Sequence, residues 1–512
     1  MRPPRIGFTL VAVLIAICLL GAPVPARSAA TNPFSLATGG QATLDAYIEA
    51  RMRVARIPGL ALGVVRGDRI IYLNGYGVAG PDGRAVTPQT PFILGSTSKS
   101  ITALAVMQLV EAGTIDLDAP VTTYLPWFRT ADETASARIT VRNLLYQNSG
   151  LPVDIGRAGL AEDDQSDMAL ENGVRGLAGA QLSHPPGQTY EYANENYTTL
   201  GLIVQAVSGR SYEEYIQSAI FAPLQMRHSA ASISHPATSD LATGHRYWLG
   251  WPVPFTAPYP RQSAPAGFLI SSAEDMSQYL IAQLNGGAFK DSHVLSPAGV
   301  TTLHTGGARV SATSSYAMGW LVSSQRGTVR LEHSGDVSNF HSNLLLLPDE
   351  RLGIVVLVNA NGVSSAAALD ILIEGVAAIV RGQDLSEHVD PPADRLRPLL
   401  PLAPLLILVV WIVGSYLVTR RSQRCSKLPS RGVQRLWRSG VPLGINLGLA
   451  TLPWLIVPRL LHSPIATIRL FAPDLFLGIA LLSVLGLAWA VARTILTISV
   501  RYARAGGVRQ PS

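Results

Sequence analysis

A serine and a lysine stand three residues apart in Phe92-Ile93-Leu94-Gly95-Ser96-Thr97-Ser98-Lys99-Ser100, at the head of an apolar run. On a helix that spacing puts both side chains on one face, one turn from each other. A partly desolvated lysine beside a hydroxyl can lose its charge and accept the hydroxyl proton, which makes serine a nucleophile without histidine. Only three of the 40 basic residues are lysines: Lys99, Lys290 and Lys427. A chain so biased toward arginine keeps lysine where arginine could not serve, because a guanidinium does not deprotonate. The other reading of the same residues is a lysine on a helix surface.

Two further patterns follow in chain order. In Tyr190-Glu191-Tyr192-Ala193-Asn194-Glu195-Asn196-Tyr197, one tyrosine, Tyr192, stands two residues before an asparagine, Asn194. Tyr190 and Tyr197 compete with it, but neither has asparagine two residues on. In Leu331-Glu332-His333-Ser334-Gly335-Asp336 a strand pattern ends in His-x-Gly.

These residues need elements to hold them. Residues 41–53 read as a helix, and 59–65 and 69–73 as a β-hairpin turning on Arg66-Gly67-Asp68. Ser96 falls where a loop enters a helix over 101–112, ended by Gly113. Pro- and Gly-rich loops with helical segments fill the middle. The aromatic stretch 246–267 reads foremost as a packed surface loop, with a substrate-facing lid or a membrane-resting loop as alternatives. Strand patterns return at 319–323, 329–333, 343–347 and 353–358, and 366–380 reads as a closing helix. Strands at both ends of a helix-rich middle imply an α/β fold: an antiparallel sheet built from the two termini, flanked by helices, with an inserted helical region.

The ends of the chain suggest export and a membrane. Residues 1–30 combine a basic start (Arg2, Arg5), an apolar core and a small-residue exit, as in a secretory signal; an uncleaved anchor is the alternative. Residues 31–383 are read as the folded domain and 384–398, with three prolines, as a tether. The region 399–512 holds three apolar stretches, 399–418, 441–461 and 474–500, each long enough to span a bilayer. Seven basic residues between the first two stretches, and three after the last, put those segments in the cytoplasm by the positive-inside bias. The domain before them is then extracytoplasmic, anchored in the cell membrane.

Charge and cysteine usage exclude several functions. The net charge of +6 arises in the membrane region, where 13 basic residues face one acidic residue. It therefore gives no argument for nucleic-acid binding. The two cysteines, Cys18 and Cys425, lie outside the exported domain, so neither a disulfide framework nor a catalytic thiol is expected there. There is no Gly-x-Ser-x-Gly elbow, no His-Glu-x-x-His pair and no phosphate-binding glycine loop, so no metal and no cofactor is expected. His245 and His341 are taken as structural.

With these motifs in order, the chain resembles the serine β-lactamase and penicillin-binding-protein superfamily, in its class C-like branch of esterases, D-aminopeptidases and DD-peptidases. Ile57-Pro58-Gly59-Leu60-Ala61, Gly75-Tyr76-Gly77-Val78-Ala79 and the stretches 92–113, 117–126, 139–152 and 353–359 carry the likeness, from about residue 40 to 382. The resemblance implies that Ser96 is acylated, that Lys99 helps remove its proton, and that Tyr192 serves as base and then as acid. It implies that Asn194 holds lysine and substrate. The strand carrying His333 and Gly335 would line the acyl pocket, with the backbone N–H groups of Asp336 and Ser96 as oxyanion hole. His333 stands where β-lactamases have lysine, a weaker anchor for a substrate carboxylate. Phe268 and Asn339 stand where the family usually has glycine, so a narrower pocket is expected.

The function expected is that of a membrane-anchored serine hydrolase acting on amides or esters: D-amino-acid peptides, peptidoglycan fragments or simple esters. The alternative is a penicillin-binding receptor or scaffold, acylated without turnover.

Overall fold

The computed structural model describes residues 38–325, 327–362, 366–383, 385, 402–424 and 440–506. The signal-like segment, nearly all of the tether and most of the basic loop after the first apolar stretch lie outside the described residues.

Helix α1 (Thr38–Ala55) leads into the hairpin of β1 (Gly59–Arg66) and β2 (Arg69–Gly77). Helix α2 (Ser98–Glu111) follows the Ser96 turn and is buried along almost its whole length. That explains why it is apolar all round rather than on one stripe. The middle of the chain supplies α3 (Val153–Gly159), α4 (Asn194–Ser208), the hairpin β3 (His245–Trp248) and β4 (Trp251–Pro254), and α5 (Ala273–Leu284). The returning strands are β5 (Ala308–Arg309), β6 (Ser314–Tyr316), β7 (Leu321–Gln325), β8 (Thr328–Val337), β9 (Phe340–Leu347) and β10 (Leu352–Val358), closed by α6 (Ala366–Val380).

The main sheet has eight strands in the order β2–β1–β10–β9–β8–β7–β6–β5, antiparallel throughout. The two ends of the domain meet inside it, with Leu62 of β1 opposite Val356 of β10. Every residue of β9 and β10 is buried. Unbroken burial of this kind belongs to strands covered on both faces. Ile354, Val356 and Val358 join Leu44 and Ile48 of α1 and Leu372 and Val376 of α6. Their neighbours Val355 and Leu357 join Met276 and Leu280 of α5 on the other face. The period-two alternation of side chains produces the two layers. Each buried leucine or isoleucine contributes roughly 1.5–3 kcal/mol. Strands β5 and β6, too short to show any alternation, were not legible in the sequence.

Beyond the tether stand α7 (Ala403–Arg424), α8 (Val441–Leu460), α9 (Ile465–Phe471) and α10 (Pro473–Gly506). Leu443–Leu460 and Pro473–Ile495 are long and apolar enough to cross a membrane; the apolar stretch of α7, Ala403–Leu417, is shorter. Three tryptophan N–H groups tie the helices pairwise: Trp411 donates to Asn446 Oδ1 (2.9 Å), Trp454 to Ser483 Oγ (2.8 Å) and Trp489 to Ser415 Oγ (2.7 Å). Each bond gives an indole N–H an acceptor on a neighbouring helix.

Candidate active site

Ser96 lies in a single 3-10 turn, Gly95–Thr97, that runs directly into α2. The turn exists because Gly95 adopts φ +58°, and because a Cβ there would stand 2.5 Å from the Asp336 nitrogen. Gly335 answers it on β8, where a Cβ would lie 2.1 Å from the Leu94 oxygen and 3.0 Å from the Ser96 nitrogen. Two glycines thus let the backbone of β8 pass against the backbone of the turn. Side-chain bonds fix the turn: Thr97 Oγ1 donates to Leu94 O (2.8 Å), and Ser98 Oγ donates to Gly95 O (2.8 Å).

Lys99 is fully buried, one helical turn from Ser96. Its Nζ bonds Ser96 Oγ at 3.1 Å, Asn194 Oδ1 at 2.8 Å and Ala266 O at 2.5 Å, all neutral partners. Burial lowers its pKa to about 7, with the charge of Glu195 pulling modestly the other way. Glu195, the residue after Asn194, is itself pushed up to about 7 by burial, and its Oε2 has no hydrogen-bond partner among the described residues. These two groups titrate as a pair.

Tyr192 and Asn194 are held by the start of α4 and by Gln147. The Gln147 side chain accepts from Ala193 N (3.0 Å), and its backbone oxygen accepts from Glu191 N (2.8 Å). Gln147 has φ +58°, a left-handed conformation that strains a non-glycine residue. The Tyr192 ring lies over Lys99 Nζ, 4.8 Å from the ring centroid. Burial raises its phenol far above the ordinary value, with only a partial offset from the Ser96 hydroxyl. The proximity of Lys99 does not make Tyr192 a phenolate at neutral pH. Its Oη faces Ser96 without a well-formed hydrogen bond.

His333 is buried on β8. Its Nδ1 meets Ser334 O at 2.6 Å and its Nε2 meets Tyr316 Oη at 3.0 Å. A carbonyl oxygen only accepts, so Nδ1 carries the proton and Nε2 accepts from Tyr316. Burial, with the charge of Lys99 second, lowers the His333 pKa to about 4. Neutral, and engaged at both nitrogens, it cannot act as a cation toward a substrate carboxylate. Asp336 bonds His341 Nδ1 (2.9 Å) and Asn361 Nδ2 (2.8 Å). Burial pushes that carboxyl up, but these partners outweigh it and leave its pKa below the usual value.

Ser96, Tyr192, Asn194, His333 and Asp336 all line one cavity of about 670 Å³. Lys99 and Gly335 stand just behind its surface. The narrowing expected from Phe268 and Asn339 does not occur, because neither lines the cavity. Phe268 turns into the core against Tyr259, with ring centroids 5.5 Å apart, and Asn339 Nδ2 donates to Phe255 O at 2.9 Å. Three residues of the site escaped the sequence reading: Glu195, Tyr316 and Arg157, the last on α3 at the cavity wall. Among the described residues no group of three His, Cys, Asp or Glu side chains could hold a metal ion.

Comparison with known proteins agrees with this fold. The Beta-lactamase family model matches residues 44–378. Protein flp of Staphylococcus aureus (strain COL) is 28% identical over 435 residues, covering 82% of this chain and 84% of its own. Penicillin-binding protein 4 of Amycolatopsis lactamdurans is 29% identical over 359 residues, covering 68% of this chain and 92% of its own. The structure of the octameric penicillin-binding protein homologue from Pyrococcus abyssi superposes with a TM-score of 0.58 at 26% identity, over 68% of this chain and 79% of that one. With its serine-and-lysine pair set against an antiparallel sheet, the chain belongs to the Beta-lactamase family.

Proposed function

We propose that this protein is a membrane-anchored, extracytoplasmic serine hydrolase that forms an acyl-enzyme on Ser96. The observation that carries this reading is Lys99: fully buried, within hydrogen-bond reach of Ser96 Oγ, and with its pKa lowered to about 7. As a neutral amine it has two protons and one lone pair. The protons go to Asn194 Oδ1 and Ala266 O, which leaves the lone pair for the Ser96 hydroxyl proton.

Acylation then proceeds by attack of Ser96 Oγ on the substrate carbonyl as its proton passes to Lys99 Nζ. The negative charge on the tetrahedral oxygen is met by the backbone N–H groups of Ser96 and Asp336. Tyr192, a neutral phenol, gives its proton to the departing amine or alcohol and recovers one from Lys99. Water then attacks the acyl-enzyme carbonyl as Lys99 accepts its proton, and that proton passes to Ser96 Oγ as the C–Oγ bond breaks, which releases the acid and restores the neutral amine. His333, Gly335 and Asn194 shape the acyl pocket and hold the substrate.

Substrates are amides or esters, including D-amino-acid peptides, peptidoglycan fragments and simple esters. The likeness to penicillin-binding protein 4 supports the cell-wall-derived members of that set. The neutral His333 argues against recognition of a carboxylate in the way a lysine would provide it. The domain spans residues 31–383, held to the membrane through the helices after 399. Ser96→Ala in the full chain is expected to lower hydrolysis of an activated ester by about 10⁴-fold or more. Hydrolysis equal to that of the unaltered protein would overturn the assignment.

A further inference from the structure

The cavity at Ser96 is not closed by the hydrolase domain alone. Leu461, Ser463, Thr467, Ile468, Phe471 and Ala472 also line it, and all belong to the segment joining α8 to α10. This is the segment between the two stretches of membrane-spanning length. It is fastened to the domain at two places. At the first, Arg157 on α3 donates through Nη1 to Leu461 O, to His462 O (3.3 Å) and to Ser463 Oγ (2.8 Å). Thr467 Oγ1 returns a bond to the Arg157 carbonyl at 2.5 Å. At the second, Asp474 Oδ2, at the start of α10, accepts from Leu249 N (3.2 Å) between β3 and β4. That hairpin leaves Leu249, Trp251 and Val253 exposed, at 44%, 61% and 43%.

The chemistry of this wall differs from that of the catalytic residues. Ile468 and Ala472 are buried against the domain, and with Leu461, Phe471 and Leu160 of the domain they present hydrocarbon to the cavity. Arg157 meets only neutral oxygens on this segment, so its guanidinium, with Ser463 and Thr467, forms a polar edge beside that hydrocarbon. The segment caps the ends of α8 and α10 on the side where the positive-inside bias puts the exported domain. It therefore stands at the bilayer surface, beside exposed tryptophan and aliphatic side chains of the kind that settle at that interface.

Resting on the hydrolase reading, we infer that the segment 461–472 is a substrate-binding wall of the Ser96 site, which accepts an apolar chain carried by an amphiphilic ester or amide drawn from the membrane surface. The membrane helices then act in specificity as well as in anchorage. Arg157 is a positioning residue, holding the wall in place without touching the reacting atoms.

Chain-length selectivity tests this, using the full-length protein in phosphatidylcholine nanodiscs. The probes are 4-nitrophenyl esters of straight-chain acids from acetate to decanoate, and straight-chain alkyl esters of acetic acid, all below their micelle concentrations. The readout is the ratio of kcat/KM for the longest to the shortest ester, which the fraction of correctly folded protein does not alter. In at least one series the unaltered protein should favour the long chain by tenfold or more, at up to about fourfold per methylene that enters the wall. Ile468→Asp with Phe471→Asp should bring that ratio toward one, and Arg157→Met should lower it part of the way. Partition into the bilayer is the same for every variant and cancels in the comparison. A ratio near one for the unaltered protein in both series, or a ratio the variants leave unchanged, would overturn the inference. Mapping of a fluorophosphonate label on the same preparation separates the two claims. Label on Ser96 with no chain-length effect strikes only the wall, whereas absence of label from Ser96 strikes the hydrolase reading and the wall with it.

Discussion

The first turn of α2 and the strand β8 each present a basic side chain to the Ser96 site, and burial lowers the pKa of both with different results. Lys99 keeps a lone pair aimed at a hydroxyl and titrates at about 7. His333 titrates at about 4, gives its proton to Ser334 O and receives one from Tyr316. One base is poised at working pH; the other is locked into the wall. Burial lowers both from unequal starting points, 10.5 for the lysine and 6.5 for the histidine, and the partners decide only whether a lone pair is left free. Lys99 is ringed by neutral acceptors and one distant carboxylate, while each nitrogen of His333 is already committed. A buried base becomes a catalyst only where its lone pair has nothing else to meet.

Four substitutions sharpen that contrast, in descending order of effect. Lys99→Arg retains charge and approximate length but cannot deprotonate, so kcat/KM should fall about 10³-fold across the pH range. A loss below tenfold in ester hydrolysis would show that Lys99 is not the base. Tyr192→Phe removes the proton donor to the leaving group and should cost about 10²-fold on amides. Esters with good leaving groups should lose much less, so equal losses on both would count against that role.

Glu195→Gln removes the carboxylate whose charge supports the protonated lysine. The acid limb of the kcat/KM profile should move to lower pH, with the plateau changed less than about threefold. A limb that stays in place would detach Glu195 from the titration. His333→Gln should be the mildest, with less than about a twofold loss and no movement of the limb. It removes the Nδ1–H that donates to Ser334 O, a cost of about 1–3 kcal/mol in a thermal or denaturant melt.

Lys99 also has a stability signature. The unfolded chain holds this proton up to about 10.5, and the folded chain releases it above about 7. Between those values the unfolded state binds more protons, so the contribution of this group to stability rises with pH across that window.

Much of this architecture was legible because its signals are local. Ser96 and Lys99 are three residues apart and Tyr192 and Asn194 two apart, so helix and loop geometry alone bring each pair together. The hairpin of β1 and β2 and the closing helix α6 carried their own turn and periodicity signals. Glu195, Tyr316 and Arg157 carried none. Tyr316 lies on a three-residue strand, and its bond to His333 depends on the packing of β6, β7 and β8. Arg157 matters through residues some 300 positions later. The segment 461–472 between two apolar stretches holds only a seven-residue helix, too brief for periodicity to reveal, and its place on the cavity is a tertiary fact.

The most direct test is the rate of Ser96 modification by a fluorophosphonate as a function of pH, with the labelled residue mapped at each point. Label is expected on Ser96, at a rate that rises about tenfold per pH unit below neutrality and levels above a midpoint of about 7, where Lys99 titrates together with Glu195. A midpoint near 4, where His333 titrates, a rate still rising toward 10, or label on another residue would contradict it.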